Sequence, residues 1–290
     1  MNLYIGPAVE RLIELALDED EIGFDVTSAA FFGDNDRGQA RLVARQDFVM
    51  AGGPVAQAVF QRVDPLVQWE SNFEDGKALA SGEVIATVEG PTGSLLRAER
   101  TALNFLQRMS GVATLTRAHV EALGSQSTQV VDTRKTLPGW RMLDKYAVRC
   151  GGAKNHRFNL AGGVMIKENH IAAAGSIAEA IERVKRVAPH TLRIEVEVER
   201  LDQIDEALEA GAEVIMLDNM DNAAMRRGVT QIRAHRRGEE IVIEGSGNID
   251  RKRLATLGDV GLDVVSVGAL THSAPAVDIS MRIDDHQEGK

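Results

Sequence analysis

From residue 130 onward, short apolar runs recur at Val130–Val131, Gly163–Ile166, Ile194–Val198, Val214–Leu217, Ile241–Ile243 and Val264–Val267. Helical stretches lie between them, among them Ser176–Val187, Leu201–Ala210 and Arg251–Leu257. No other feature constrains the fold as much. Strands separated by helices at intervals of about 20 to 35 residues build βα units and a parallel sheet. Six such strands fall short of the eight of a closed barrel, so the spacing predicts an open, incomplete α/β barrel.

The first part of the chain reads differently. Pro7–Asp20 carries Val9, Leu12, Ile13, Leu15, Ala16 and Leu17 at helical spacing, with proline at the start. Extended segments follow at about 39–50, 64–73 and 83–89, punctuated by Gly52-Gly53-Pro54 and Gly90-Pro91. Ser94–Thr116 then returns to helical spacing. Together they form a small sheet-and-helix domain over residues 1–112, followed by a barrel over 113–274. The segment Val277–Ile283 alternates strictly, the mark of a half-exposed strand, so 275–290 is expected to rejoin the first domain.

Composition narrows the function classes. The single cysteine, Cys150, excludes an internal disulfide and fits a reducing compartment. No signal-peptide pattern opens the chain and no apolar run reaches membrane-spanning length, so a soluble, cytoplasmic protein is expected. A net charge of −10 disfavours broad binding to nucleic acid.

Against that negative total, the window from Arg134 to Lys167 holds eight basic residues and one acid, Asp144. A basic island in an acidic chain attracts anionic ligands, although a charge run alone is more often a solvated face. All six strands of the second region end in polar or glycine-bearing groups. These are Asp132-Thr133-Arg134-Lys135, Lys167-Glu168-Asn169-His170, the acids Glu195, Glu197 and Glu199, Asp218-Asn219, Glu244-Gly245-Ser246-Gly247-Asn248, and Ser266-Val267-Gly268-Ala269. Carboxyl ends of barrel strands form the functional face, and the two glycine loops suit phosphate. Pro138–Cys150 reads as a helix with Arg141, Lys145 and Arg149 on one stripe, which suggests a bound polyanion or a neighbouring subunit's carboxylates. The histidines show no pair at zinc spacing. His156 and His170 read as ligand contacts, and Cys150 as a buried packing residue. Glu197 and Asp218 are candidates to steady a magnesium ion held mainly by substrate phosphates, or equally to pair with Arg134, Lys135 and Lys167.

Several motifs then point to a family. Thr133-Arg134-Lys135-Thr136-Leu137-Pro138-Gly139, Lys145-Tyr146-Ala147-Val148, Gly151-Gly152, Asn155-His156-Arg157 and Ile166-Lys167-Glu168-Asn169-His170 resemble those of quinolinate phosphoribosyltransferases. So do Asp25-Val26-Thr27, Glu99-Arg100-Thr101, Glu195-Val196-Glu197-Val198, Leu217-Asp218-Asn219 and the glycine loops. The resemblance spans essentially the whole chain, with Trp140 and Ala153-Lys154 as small departures. It implies an N-terminal α/β sandwich domain, an open α/β barrel and a homodimer in which Arg100 completes the neighbouring site. The implied reaction joins quinolinate to phosphoribosyl pyrophosphate and releases nicotinate mononucleotide, pyrophosphate and carbon dioxide, a step of NAD biosynthesis. By the same resemblance Arg134, His156, Arg157 and Lys167 grip the quinolinate carboxylates. Lys135, Glu197, Asp218 and the loops at Ser246-Gly247-Asn248 and Ser266-Val267-Gly268 hold the donor with Mg2+, and Thr133 joins the substrate contacts. No organic cofactor is implied. The rivals are a paralogue of the same fold associated with molybdenum transport, a Schiff-base aldolase using Lys135 or Lys167, and a noncatalytic anion-binding protein.

Overall fold

The computed structural model describes residues 3–20, 25–33, 36–124 and 127–283. In chain order the first elements are α1 (Pro7–Asp20), α2 (Val26–Phe31), β1 (Arg37–Ala44), β2 (Phe48–Val49), α3 (Gly53–Val63), β3 (Gln68–Ser71), β4 (Ala78–Leu79), β5 (Val84–Pro91) and α4 (Thr92–Leu123). Next come β6 (Gln129–Val131), α5 (Arg141–Cys150), β7 (Val164–Ile166), α6 (Glu168–Ala174), α7 (Ile177–Lys185), β8 (Ile194–Val198), α8 (Asp202–Ala210), β9 (Val214–Asp218) and α9 (Asn222–Ala234). The chain closes with β10 (Val242–Ser246), α10 (Arg251–Leu254), β11 (Val264–Ser266), α11 (Ala269–His272) and β12 (Ile279–Ile283). No described helix is long and apolar enough to cross a membrane.

Two compact units divide the chain. The first comprises Met1–Arg117, Leu137–Gly152 and Ser273–Lys290. Its main sheet runs β12-β1-β5-β3 and is antiparallel throughout, with Ala40, Leu42 and Ala44 buried at alternate positions of β1. β12 covers the edge of β1, pairing Ala40 with Ile283 and Ala44 with Ile279. Asp25 caps α2 by accepting the Thr27 and Ser28 N–H groups at 3.0 Å.

Two features of this unit depart from the sequence expectation. The glycine-proline punctuation at 52–54 is the start of a helix, α3. Gly52 sits at φ +104, Pro54 occupies the first turn, and Asp75 accepts the Gly52 and Gly53 N–H groups at 2.9 and 3.1 Å. Residues 137–152, from the stretch expected in the barrel, group with the first unit. The Arg108 guanidinium pairs with buried Asp144 at 3.3 Å, and the Tyr146 hydroxyl donates to Asp75 at 2.8 Å. Gly151 lies so near Ala113 O and Thr116 that a Cβ there would stand about 2.5 Å from the carbonyl. α5 begins at Arg141 rather than Pro138, after Gly139 at φ +79.

The second unit is Ala118–Thr136 with Ala153–His272. Its six strands are all parallel in the order β6-β11-β10-β9-β8-β7, and the edge strands β6 and β7 do not pair with each other. This is an open, incomplete α/β barrel. Helices cover its outer face with apolar residues at helical spacing: Ile177, Ala180 and Ile181 on α7; Ile204, Ala207 and Leu208 on α8; Met225, Val229 and Ile232 on α9.

Candidate active site

Strand alternation decides what the inner face carries. β8 reads Ile-Glu-Val-Glu-Val, and its Val196 and Val198 are fully buried. Glu195 and Glu197 therefore point the other way. The parallel register aligns Glu197 with Met216 and Met216 with Glu244, while Asp218 aligns with Ser246 and Met165 with Glu195. Aligned residues of neighbouring parallel strands share a face, so polar groups from three strands collect on one side of the sheet, with Met165 of β7 beside them. Such a polar face is unusual for a parallel sheet, whose strands normally read as continuous apolar runs.

These ends, with β11 and the loop after β6, line one cavity of about 800 Å3 in the second unit. Thr133, Arg134, Lys135, His156, Arg157, Lys167, Glu197, Asp218, Ser246, Gly247, Asn248, Ser266, Val267 and Gly268 all line it. Arg100 does not; it is exposed on α4. Sequence reasoning named Asn219 and Glu244 only as strand-end groups without a role, and missed Met165, Met216 and His272 as lining residues. Strand alternation was the signal for Met216 and Glu244. No local pattern marks His272, which sits on α11 close to Gly268.

The charges inside are held in particular ways. Lys167 Nζ donates to Glu197 Oε2, so this pair is mutual, as the simpler of the two readings expected. Arg157 donates to Gly163 O at 2.8 Å and reaches Met165 Sδ at 3.6 Å. Burial lowers its pKa from the usual arginine value, and the Arg134 charge nearby adds to that lowering. Lys135 N donates to Thr133 Oγ1 at 3.0 Å, and Thr271 Oγ1 donates to Lys135 O at 2.9 Å. Asp132 is fully buried rather than a ligand. Its carboxylate accepts Asn155 Nδ2 at 2.7 Å and the His156 N–H at 2.9 Å, fixing the loop that carries His156 and Arg157.

His156 lies in an arrangement the sequence did not reveal. Its Nε2 stands 3.5 Å from Glu195 Oε2 and 3.5 Å from Glu244 Oε2. The three groups are close enough together to have held a metal ion in principle. Burial by itself lowers the imidazole pKa, but the two carboxylates outweigh it and raise the pKa to about 9. Burial raises the Glu195 carboxyl, with the Glu244 charge adding to the effect and His156 opposing it. Nδ1 accepts the Arg157 N–H at 2.7 Å. Both ring nitrogens therefore face protein groups, and the ring, itself part of the cavity wall, braces Arg157.

The glycine loops are shaped by backbone geometry. Gly247 has φ +92, and a Cβ there would stand 2.6 Å from Asn219 N. Only glycine fits. Asn219 at φ 55 and Asn248 at φ 49 occupy the left-handed region beside it. Arg253 on α10 ties the two turns together, donating to Gly247 O at 2.7 Å and also to Met220 O. The helices after the two loops, α10 and α11, are single turns of four residues. They are too short for a sizeable macrodipole, so the loop N–H groups rather than helix ends make the cradle.

Two further expectations change. Lys145 is only 2% exposed, while Arg149 is exposed, so Arg141, Lys145 and Arg149 form no shared surface stripe. Lys145 lies one residue from buried Asp144 on the inner side of α5. His170 lies outside the cavity lining; its Nδ1 accepts the Lys167 N–H at 3.0 Å at the start of α6. The acids that cluster tightly with a histidine are Glu195, two residues before Glu197 on β8, and Glu244 on β10; Glu197 and Asp218 are not part of that cluster. Cys150 is buried, and burial pushes its thiol up to about 12, so it is inert.

Comparisons with known proteins agree with this geometry. Family models described as quinolinate phosphoribosyl transferase, N-terminal domain, and quinolinate phosphoribosyl transferase, C-terminal domain, match residues 25–110 and 112–282. A probable nicotinate-nucleotide pyrophosphorylase [carboxylating] from Bacillus subtilis is 44% identical over 275 residues, 95% of this chain and 93% of that one. A quinolinate phosphoribosyltransferase [decarboxylating] 1b from Nicotiana tabacum is 37% identical, over 95% of this chain and 82% of that one. The crystal structure of NadC from Streptococcus pyogenes superposes with a TM-score of 0.93 at 41% identity, covering 98% of this chain and 99% of that one. With both family models matched in tandem and the strand-end cations gathered in one cavity, the chain belongs to the quinolinate phosphoribosyltransferase family.

Proposed function

We propose that this chain transfers a phosphoribosyl group from phosphoribosyl pyrophosphate to quinolinate and decarboxylates the product to nicotinate mononucleotide. The observation that carries this reading is the convergence of Arg134, Lys135, Arg157 and Lys167 on one cavity. Quinolinate is a dianion and the donor carries several phosphate charges, so a single pocket holds both only if cations offset their repulsion. Arg134 and Arg157 suit the planar carboxylates, which a guanidinium meets with two parallel bonds. Lys167 adds a point charge on the same rim. Lys135 and the loops Ser246-Gly247-Asn248 and Ser266-Val267-Gly268 face the donor's phosphates.

Glu197 and Asp218 then stand where positive charge develops on the ribose as pyrophosphate departs, and they stabilise it electrostatically. They also suit Mg2+: one oxygen of each takes a hydrogen bond, from Lys167 and from Asn219 Nδ2 at 2.6 Å, and the second oxygen of each takes none among the described residues. Bound there with the donor, the ion would neutralise pyrophosphate charge. Attack by the ring nitrogen makes a pyridinium. Its positive nitrogen stabilises the carbanion left when the adjacent carboxylate departs, so no organic cofactor is needed. Arg100 is exposed and lies outside its own chain's cavity, the position of a residue lent to a second copy in a homodimer.

The direct test mixes the protein with Mg2+, quinolinate and the phosphoribosyl donor. Equimolar carbon dioxide and nicotinate mononucleotide are expected; tight binding of both substrates without turnover would leave a noncatalytic anion-binding protein instead.

The Arg253 clamp yields a second expectation. Arg253→Ala removes two charge-assisted bonds to loop carbonyls, each worth about 1.5–3 kcal/mol. The KM for the phosphoribosyl donor is expected to rise about tenfold, since ~1.4 kcal/mol is a factor of ten. The KM for quinolinate, which the other rim holds, is expected to stay within about twofold. Equal loss for both substrates would show that the clamp supports the whole barrel rather than the two loops.

A further inference from the structure

We propose that Thr271 is a positioning residue for the phosphoribosyl donor: its hydroxyl, on α11, pins the backbone of Lys135 and so sets where the Lys135 ammonium meets the donor's pyrophosphate. This rests on the reading above that Lys135 holds the donor. The observation behind it is a mismatch. Lys135 is exposed and sits in a stretch, residues 132–140, that belongs to no helix or strand, so no ladder of backbone bonds fixes it. Lysine also carries its charge on a flexible four-carbon stem. Left to itself, such a side chain holds a phosphate only at a large entropic cost.

Three contacts remove that freedom. The Lys135 N–H donates to Thr133 Oγ1 at 3.0 Å. The stem lies across Gly268, where an added Cβ would stand 2.9 Å from Lys135 Cδ. The Lys135 carbonyl accepts the Thr271 hydroxyl at 2.9 Å, and that hydroxyl is its one donor among the described residues. The Thr133 bond is local and travels with the loop. Thr271 reaches in from 136 residues away, so it alone fixes the loop to another part of the barrel by a hydrogen bond to Lys135.

The tether also closes a ring. Val267 N–H donates to Val131 O at 2.9 Å, just where β6 and β11 give way to their loops. Val131–Lys135 and Val267–Thr271 are segments of equal length, joined at one end by that bond and at the other by the Thr271 hydroxyl. Thr133, Arg134, Lys135, Val267 and Gly268 lie on this ring, and all line the cavity. Without the hydroxyl the ring opens at the end that carries Lys135.

A simpler alternative is that the hydroxyl only bonds back to its own turn, as helical threonines often do. Distance decides against it. Gly268 O lies 3.3 Å from Thr271 Oγ1, beyond the usual span of an O–H···O bond, and already accepts the Thr271 and His272 N–H groups at 3.2 and 3.3 Å. A hydroxyl has one proton to give, and Lys135 O is the nearer acceptor. Thr271 is fully buried, which shields the bond from competing water.

The experiment compares steady-state kinetics in wild type, Thr271→Val, Thr271→Ser, Lys135→Ala and the Lys135→Ala, Thr271→Val double variant. Calorimetric binding of inorganic pyrophosphate with Mg2+ reads the same site without turnover. Thr271→Val keeps the shape and loses the hydroxyl, leaving a buried bond unmade. The donor KM and the pyrophosphate Kd are expected to rise about tenfold, while the quinolinate KM stays within about threefold. Thr271→Ser keeps the hydroxyl and is expected to hold all three constants within about threefold of wild type. Lys135→Ala removes the group being positioned, so adding Thr271→Val to it is expected to weaken pyrophosphate by no more than about a further threefold. A larger further loss would show that Thr271 acts elsewhere and overturns the proposal, as does a rise below threefold in Thr271→Val alone. If Thr271→Val lacks a folding transition, Thr271→Ser decides: a rise in its pyrophosphate Kd beyond threefold makes the methyl rather than the hydroxyl responsible and overturns it. Pyrophosphate binding unchanged in Lys135→Ala removes Lys135 from the donor site and the tether with it. Failure of the wild-type protein to form any nucleotide, with pyrophosphate binding as expected, would instead sink the decarboxylating reading and leave the tether standing.

Discussion

Lys167→Ala is expected to lower kcat/KM for quinolinate on the order of 1000-fold while leaving the melting temperature within about 2 °C of wild type. The two halves of this expectation have different causes. The Lys167 side chain is 47% exposed, and exposed ion pairs contribute only about 0–1 kcal/mol, so the fold does not depend on it. The catalytic loss is larger because the substitution changes the sign of the local field. The side chain of its partner Glu197 is only 14% exposed, and without the ammonium its carboxylate faces a dianionic substrate. Truncating one member of such a charge pair costs about 2–5 kcal/mol, which brackets a thousandfold effect. Steady-state kinetics with a thermal melt of the same sample reads both. Wild-type turnover would remove Lys167 from the site, and a large fall in melting temperature would make its role structural.

Gly111→Ala is expected to give the largest stability loss of any single methyl addition on α4. A Cβ at Gly111 would stand 2.0 Å from Pro275 O and 3.0 Å from Pro275 C, and both are backbone atoms of the returning chain. No rotamer relieves that clash. Overpacking of this kind costs about 3 kcal/mol, the upper end of the usual range. At roughly 2–4 °C per kcal/mol for a chain of this size, the melting temperature is expected to fall by about 6–12 °C. Gly93→Ala on the same helix is the control, since nothing lies within 4 Å of its added Cβ. Alanine is the better helix former by up to about 1 kcal/mol, so that variant is expected to be neutral or slightly stabilised. Equal losses in the two variants would show that helix propensity rather than the Pro275 contact sets the cost.

Local periodicity was enough to read much of this molecule. α1 runs from Pro7 to Asp20, as the apolar spacing and opening proline indicate. Five of the six barrel strands fall within a residue of the apolar runs, β10 runs three residues past Ile243, and the alternation of the last segment marks a strand. Cations at the strand ends are visible in the same way, because a parallel βα fold sends every such end to one rim. α3 was harder to see. Gly52-Gly53-Pro54 is a strong turn signal locally, and the helix it opens is secured by Asp75, more than twenty residues away.

What the sequence alone determined is the fold class, the open barrel and the roster of charged residues at its rim, since these follow from spacing along the chain. Only the tertiary structure decided how those charges are used. Glu195 and Glu244 lie on strands nearly fifty residues apart yet meet at one imidazole nitrogen, and Lys145 leaves the basic stripe to become buried. Periodicity reports which way a side chain points; burial and pairing depend on what comes to meet it from distant parts of the chain.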